Sequence, residues 1–130
     1  MVPRYAKSYI DRLYEEKDIF ELDYLISFVA GKRELPEQFS LFLRLWDWCC
    51  STRYGTWQYY EHIAADDFEA TARALERFGL RELADRYRWG MSTWNEPERG
   101  GEFDDWIESH WSELETMAFR LIADSRDCLY

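Results

Sequence analysis

The sequence predicts an all-α protein, a compact bundle of about six helices that forms one domain over residues 1–130. Three observations lead to this prediction. A chain of 130 residues has a usual length for one domain. Apolar side chains recur at steps of three and four residues along nearly the whole chain, as in amphipathic helices. No segment sustains the alternation of apolar and polar residues that is typical of a half-buried strand.

The first three predicted helices precede residue 51. Residues 5–15 form the first. Asp18 and Glu21 have capping-box spacing, so we expect a second helix to begin there and to end where Gly31 can turn left-handed. Pro36 suits the first turn of a third helix. The apolar residues behind it form two stripes: Phe39, Phe42, Leu43, Trp46 and Cys50, and Leu41, Leu45 and Trp48. A helix that is apolar on two faces is expected at the centre of the core.

Four further elements of helix and one loop are predicted after residue 56. They are a helix over 57–64, a helix from Asp66 to Gly79, a helix over 80–87, a loop over 89–103 and a helix over 104–123. Asp66 and Glu69 repeat the capping spacing, and Gly79 is a helix stop. Pro97 and two glycines favour the loop. The last helix has an inward stripe of Ile107, Trp111, Leu114, Ala118 and Leu121, beside a polar stripe of Asp105, Glu108, Ser112 and Glu115.

Negative charge is concentrated in the second half of the chain, whose formal net charge is −10. Residues 66–130 carry sixteen acids and eight arginines, and residues 96–115 carry eight acids and one arginine. Carboxylates packed this densely repel one another and weaken the folded state. We therefore expect the charge to serve either solubility or the binding of a basic partner. The candidate partner-binding residues are Glu96, Glu98, Glu102, Asp104, Asp105, Glu108 and Glu115.

The composition argues against several other classes of protein. Direct nucleic-acid binding and attachment to anionic membranes both need clustered basic residues, and the acidic balance of this chain therefore argues against both. No apolar run approaches the ~20 residues of a membrane span, and the start lacks a signal-peptide core, so we expect a cytoplasmic protein. The three cysteines form no disulfide or zinc pattern. His62 and His110 lack a second ligand at metal spacing. We expect no catalytic residue, metal or cofactor.

Two segments resemble a known family. Residues 53–62 read RYGTWQYYEH, and residues 71–85 read TARALERFGLRELAD. They are similar to a bacterial domain-of-unknown-function family, number 4375, at Gly55, Gln58, Tyr59, Tyr60, Ala74, Leu75 and Gly79. The chain departs from the family pattern at Arg53, Tyr54, Thr56 and His62. The resemblance implies an all-helical bundle. It also implies that at least one relative uses its acidic surface to occupy the DNA-binding face of a transcription regulator.

The matched residues have a structural interpretation of their own. Gly55 permits a turn, the Gln58 amide can bond to nearby backbone, and Tyr59 and Tyr60 pack around it. These residues, with Gly79, are therefore expected to shape the fold rather than to perform chemistry.

The leading functional hypothesis is a non-enzymatic acidic binding protein, a DNA mimic that occupies the basic surface of a DNA-binding protein. Trp94 or Trp106 would supply a short-range anchor. Three alternatives stay open. They are an immunity protein that neutralises a basic nuclease toxin, an enzyme with a pocket around Gln58, Tyr59 and His62, and a domain whose charge only prevents aggregation. The sequence also leaves a homodimer open.

Overall fold

The computed structural model describes residues 5–53 and 56–130, and the side chains of residues 53 and 56–58 lie outside this description. Over these ranges the chain forms eight α-helices and one 3₁₀ turn, and it contains no β-strand. The predicted all-α class is therefore confirmed, with 81% of the structure helical and a helix count above the predicted six.

The helices follow one another with short connections. In chain order they are α1 (Lys7–Glu16), α2 (Ile19–Ala30), α3 (Glu37–Arg53), α4 (Thr56–His62), α5 (Ala65–Arg77), α6 (Arg81–Thr93), α7 (Pro97–Ser109) and α8 (Trp111–Ile122), and the 3₁₀ turn spans Arg126–Leu129. Among the described residues no helix is both long enough and apolar enough to cross a membrane.

The loop predicted over residues 89–103 is wrong. Helix α6 continues to Thr93, and α7 begins at Pro97. Pro97 lies in the first turn of α7, where its missing N–H leaves no intrahelical bond unmade. The two glycines then fall inside α7, because Phe103 and Ile107 are fully buried one turn apart and hold the helix against the core.

The single helix predicted over residues 104–123 is also wrong. His110 separates α7 from α8, and its N–H donates to the carbonyls of Trp106 at 3.0 Å and Ile107 at 3.3 Å. The apolar steps run through this break without a change of register, so they gave no sign of it. The inward stripe is buried at Ile107, Leu114 and Ala118, whereas its other two members are half-buried.

The predicted N-terminal caps differ in outcome. The Asp18 carboxylate accepts a hydrogen bond from the N–H of Glu21 at 3.2 Å, which confirms the start of α2. The N–H of Asp18 donates to the carbonyl of Leu13, so the reciprocal half of the capping box is not formed. The second predicted cap is wrong: α5 begins at Ala65, one residue before Asp66, with no side-chain cap.

The C-terminal stops differ as well. Gly79 has a φ of +80°, so its predicted left-handed conformation is confirmed. Gly31 keeps a right-handed conformation, with a φ of −73°, and the left-handed stop predicted there is wrong. The one left-handed residue with a side chain among those described is Lys17, which caps α1 with its N–H bonded to the carbonyl of Tyr14.

By their contacts the described residues form two compact units, and the division falls within α3 and within α8. Helix α3 buries most of both predicted stripes, with Leu43 and Cys50 half-buried, and it supplies core residues to each unit. The organisation into a single domain stays a prediction.

The first unit contains the described residues up to Trp46 together with Glu115–Tyr130. Its core is mainly aliphatic and includes Ile10, Leu13, Leu22, Ile26, Phe39, Phe42, Ala118, Ile122 and Leu129. The Tyr130 hydroxyl donates a hydrogen bond to the Asp11 carboxylate, and an Arg126 nitrogen lies 3.6 Å from the same group. These contacts connect the last turn to α1.

The second unit spans Asp47–Leu114 and has a more aromatic core. Its buried residues include Trp48, Tyr59, Tyr60, Leu75, Leu83, Tyr87, Phe103 and Ile107. Helices α5 and α6 pack side by side, and Arg88 of α6 connects them. Its guanidinium bonds to the carboxylate of Glu76 and lies 3.5 Å from that of Glu69. The hydrogen bond from Arg88 lowers the pKa of Glu76.

Candidate functional site

Helix α7 carries most of the predicted partner-binding residues. Its buried side is formed by Phe103 and Ile107. Glu98 lies in the first turn, where the positive end of the helix favours a carboxylate. This acidic segment can form a helix because its two buried residues share one side, which leaves Glu98, Glu102, Asp105 and Glu108 exposed to solvent.

Four exposed carboxylates lie along the side of α7 that faces solvent. Glu98, Glu102 and Asp105 follow one another at steps of four and three residues, which places them on one helix face. Glu108 lies a further three residues along and is also exposed. We call these four residues the acidic face. They all belong to one helix of one unit.

The other predicted binding residues differ in their surroundings. Glu96 is exposed just before α7, and its carboxylate lies 3.3 Å from the Arg99 side chain, which offsets its charge. Asp104 is half-buried, and one of its carboxylate oxygens is shielded from solvent. Glu115 is half-buried in α8, in the first unit. The predicted polar stripe from Asp105 to Glu115 therefore does not run along one helix.

A stack of rings and a cation lies beside α7. The Arg86 guanidinium is 5.0 Å from the ring centre of Trp89 and 4.8 Å from that of Trp106. The Trp106 ring stacks on His110 with centroids 4.4 Å apart. The His110 Nδ1 lies 2.8 Å from the Trp106 carbonyl, which fixes the imidazole at the end of α7. Trp106 and Trp94 are both half-buried, so each is partly accessible to solvent.

The two tyrosines of the family motif lie in the core of the second unit. The Tyr60 hydroxyl accepts a hydrogen bond from the Trp48 indole at 2.8 Å and donates one to the Tyr87 carbonyl at 2.8 Å. The Tyr59 hydroxyl lies 2.5 Å from that of Tyr87. Burial raises the pKa of both Tyr59 and Tyr60 well above that of an exposed tyrosine, because the phenolate would lose its hydration.

The remaining motif residues complete this description. Gly79 provides the left-handed turn after α5. Gly55 and the departure at Tyr54 lie outside the described residues, as do the side chains of Arg53, Thr56 and Gln58. Tyr59 and Tyr60 are thus core residues and Gly79 is a turn residue, whereas the packing of the two tyrosines around Gln58 stays a prediction.

The residues of the predicted enzymatic pocket have different surroundings. Tyr59 is buried within the aromatic core, whereas His62 is exposed at the end of α4. Cys49 is buried, and Cys50 and Cys128 are half-buried. Over residues 5–53 and 56–130 no three histidine, cysteine or carboxylate side chains lie together in a way that could hold a metal ion.

Sequence reasoning missed two features. The first is the close approach of Gly90 to the Tyr60 ring, where an added Cβ would lie 2.7 Å from Cε2. An isolated glycine inside an otherwise regular helical pattern was the available signal. The second is a row of exposed rings on α2, which includes Phe20 and Tyr24. The sequence indicated this row by the four-residue step from Phe20 to Tyr24, which places both rings on the side of α2 opposite its buried stripe.

No protein-family model matches this chain, and no curated protein or solved structure matches it either. The resemblance to the domain-of-unknown-function family therefore stays a prediction.

Proposed function

We propose that this chain is a non-enzymatic binding protein whose acidic face occupies the basic nucleic-acid-binding surface of a partner protein. Helix α7 supports the proposal because it presents Glu98, Glu102 and Asp105 on one exposed face, directly away from the buried Phe103 and Ile107. The carboxylates are thus held in a row by a helix that the core anchors.

The spacing of these charges is close to that of a nucleic-acid backbone. Residues 98–108 of a helix span ~15 Å, since each residue rises by ~1.5 Å. Four carboxylates over that distance give one charge per ~4–5 Å, against one phosphate per ~3.4 Å of axis along a DNA strand. A row of lysines or arginines that contacts successive phosphates can therefore meet carboxylates at a similar interval.

Charge of this kind acts mainly on the rate and selectivity of association. Electrostatic attraction between an acidic helix and a basic groove accelerates encounter and weakens steeply with salt. The half-buried Trp106, at the same helix, offers an apolar contact that salt does not screen. A DNA-binding protein fits this chemistry, and so does a basic nuclease, for which the chain would act as an immunity protein.

Capture of partners from a cell lysate at low and at high salt tests the proposal. The decisive variant combines Glu98→Gln, Glu102→Gln, Asp105→Asn and Glu108→Gln, which removes the charge of the acidic face and keeps its size. Asp104 is left unchanged because its carboxylate is partly buried. The matched control removes four exposed carboxylates elsewhere: Glu15→Gln, Glu16→Gln, Glu61→Gln and Asp124→Asn.

We expect the unmodified chain and the control variant to retain a basic DNA-binding protein or nuclease, and the acidic-face variant to lose it. Added DNA should displace the captured protein, because both compete for one surface. Equal capture by the two variants, or a complex that DNA leaves intact, would contradict the proposal.

A further inference from the structure

Helix α2 is apolar on two sides: one is buried in the first unit, and the other is exposed apart from an edge-on contact between the rings of Phe20 and Trp46, whose centroids lie 5.4 Å apart. Ile19, Leu22, Leu25, Ile26 and Val29 are buried. On the opposite side Phe20 is 62% exposed and Tyr24 is 72% exposed. Large rings so exposed and so close in sequence on one helix form an apolar patch of the kind that marks an interaction surface.

The exposed side of α2 has a graded pattern of side-chain size. Phe20, Tyr24, Ser27 and Gly31 follow at steps of four, three and four residues, so they form one stripe along the helix. All four are exposed. The first two are large rings, and the last two are small. At Gly31 an added Cβ would meet only carbonyls of its own helix, the nearer at 3.5 Å, so the space above it is open.

We propose that a second copy of this chain packs its α2 antiparallel against this stripe, about a two-fold axis that passes between Leu25 and Ile26. In such a pairing each contact occurs twice. Because the axis passes between residues 25 and 26, the residue numbers of two facing residues add up to 51. Phe20 then lies over Gly31 of the second copy, and Tyr24 lies beside its Ser27. Each ring meets a small residue, which allows the two helices to approach closely.

The same register pairs charges of opposite sign beyond the rings. Lys17, just before α2, then lies near Glu34 of the second copy, which follows the end of its α2. Lys17 and Glu34 are exposed, and both lie in the first unit. Size complementarity and charge complementarity thus select one register. A like-charged alignment would be repulsive, which makes the pairing specific.

Other occupants fit this surface less well. An anionic membrane would meet the exposed carboxylates of Glu21 and Glu34 near the rings, which repel it. The stripe is short, since twelve residues of helix span ~18 Å. We therefore expect an interface at the small end of the known range, and a dimer that dissociates on dilution.

Sedimentation velocity over increasing protein concentration tests the surface. We expect the chain to pass from monomer to dimer, and Tyr24→Ser to remain monomeric where the unmodified chain is dimeric. Phe78→Ser is the matched control, because Phe78 is an exposed ring of the second unit, and its dimerisation should be unchanged. Circular dichroism melts verify that both variants fold.

Exchange of charges tests the register. Lys17→Glu alone brings two carboxylates together at each of the two symmetric contacts, and Glu34→Lys alone brings two ammonium groups together there. Each variant should therefore dimerise roughly tenfold more weakly. An equal mixture of the two variants restores both attractions in a heterodimer. We expect the mixture to recover dimer at the concentration at which neither variant alone forms it.

Three results would overturn this inference: a chain that is monomeric throughout, a dimer that Tyr24→Ser leaves intact, or a mixture that forms no more dimer than its components. A monomer that binds lipid vesicles through Tyr24 would overturn it as well. The acidic face lies on α7 in the other unit, so the outcome is independent of partner capture by that face.

Discussion

Replacement of Gly90 by alanine should destabilise the protein, although alanine is the better helix former. Gly90 is buried within α6, and a Cβ there would lie 2.7 Å from Cε2 of Tyr60 and closer still to its Cζ and hydroxyl. The ring cannot simply turn aside, because the Trp48 indole and the Tyr87 carbonyl each bond to its hydroxyl at 2.8 Å. Relief of the overlap therefore requires the loss of at least one buried hydrogen bond.

The expected magnitude follows from three contributions. Overpacking of a core costs about 1–3 kcal/mol. A buried donor left without its acceptor costs about 1–3 kcal/mol. Alanine in place of glycine inside a helix returns about 1 kcal/mol. The net loss should be about 1–5 kcal/mol in the free energy of unfolding, and its middle value of about 3 kcal/mol lowers Tm by roughly 10 °C for a chain of this size.

Urea unfolding monitored by circular dichroism measures this change. Gly101→Ala is the matched control, because Gly101 lies inside α7 and an added Cβ would meet no atom within 4 Å. We expect that variant to be more stable than the unmodified chain by up to about 1 kcal/mol. If Gly90→Ala were as stable as Gly101→Ala, the packing of Tyr60 against α6 would be refuted.

Three further predictions concern titration and charge. Because burial raises the folded-state pKa of Tyr59 and Tyr60, the folded protein holds these protons more tightly than the unfolded chain. Their contribution to stability is complete below the unfolded pKa of about 10 and is lost as pH rises above it. Absorbance at the phenolate band should therefore show that Tyr59 and Tyr60 ionise only when the protein unfolds. The hydrogen bond from Tyr130, followed by that from Lys7, lowers the pKa of Asp11 against the opposing effect of its desolvation. This stability is present above the unfolded pKa and is lost as pH falls through the folded one, so Tyr130→Phe should move the midpoint of acid unfolding to higher pH. Neutralising the acidic face removes three like-charged pairs along α7 and also the favourable carboxylate of Glu98 in its first turn. At low salt that variant should therefore gain at most about 1 kcal/mol in thermal or urea unfolding, and the gain should shrink at high salt.

The helical class could be predicted because it depends on local periodicity, which the sequence carries in full. Helix α7 could not, because Pro97 and two adjacent glycines are strong local signals for a loop. What outweighs them is the burial of Phe103 and Ile107 in a core that only the folded chain possesses. The break at His110 was hidden for a related reason, since the apolar steps continue through it.

The candidate site was predicted in composition but not in arrangement. The sequence placed residues 97–103 in a loop, so it could not show that three carboxylates share one helix face. These are Glu98, Glu102 and Asp105, and they share a face because residues 97–109 are helical. The approach of Tyr60 to Gly90 joins positions thirty residues apart, which no local pattern reveals. The exposure of Tyr24 is likewise a property of the fold, since a ring at a helical step is equally compatible with a core position.

The two adjacent glycines of α7 lower the local stability of that helix. Relative to alanine, two glycines in a helix interior cost about 2 kcal/mol, so the first half of α7 opens more readily than a helix of ordinary composition. Its amide protons should accordingly exchange with deuterium sooner than those of α6, and a docked ligand should slow them. We therefore expect the first half of α7, which carries Glu98 and Glu102, to deform more easily than its second half, which Phe103 and Ile107 anchor in the core.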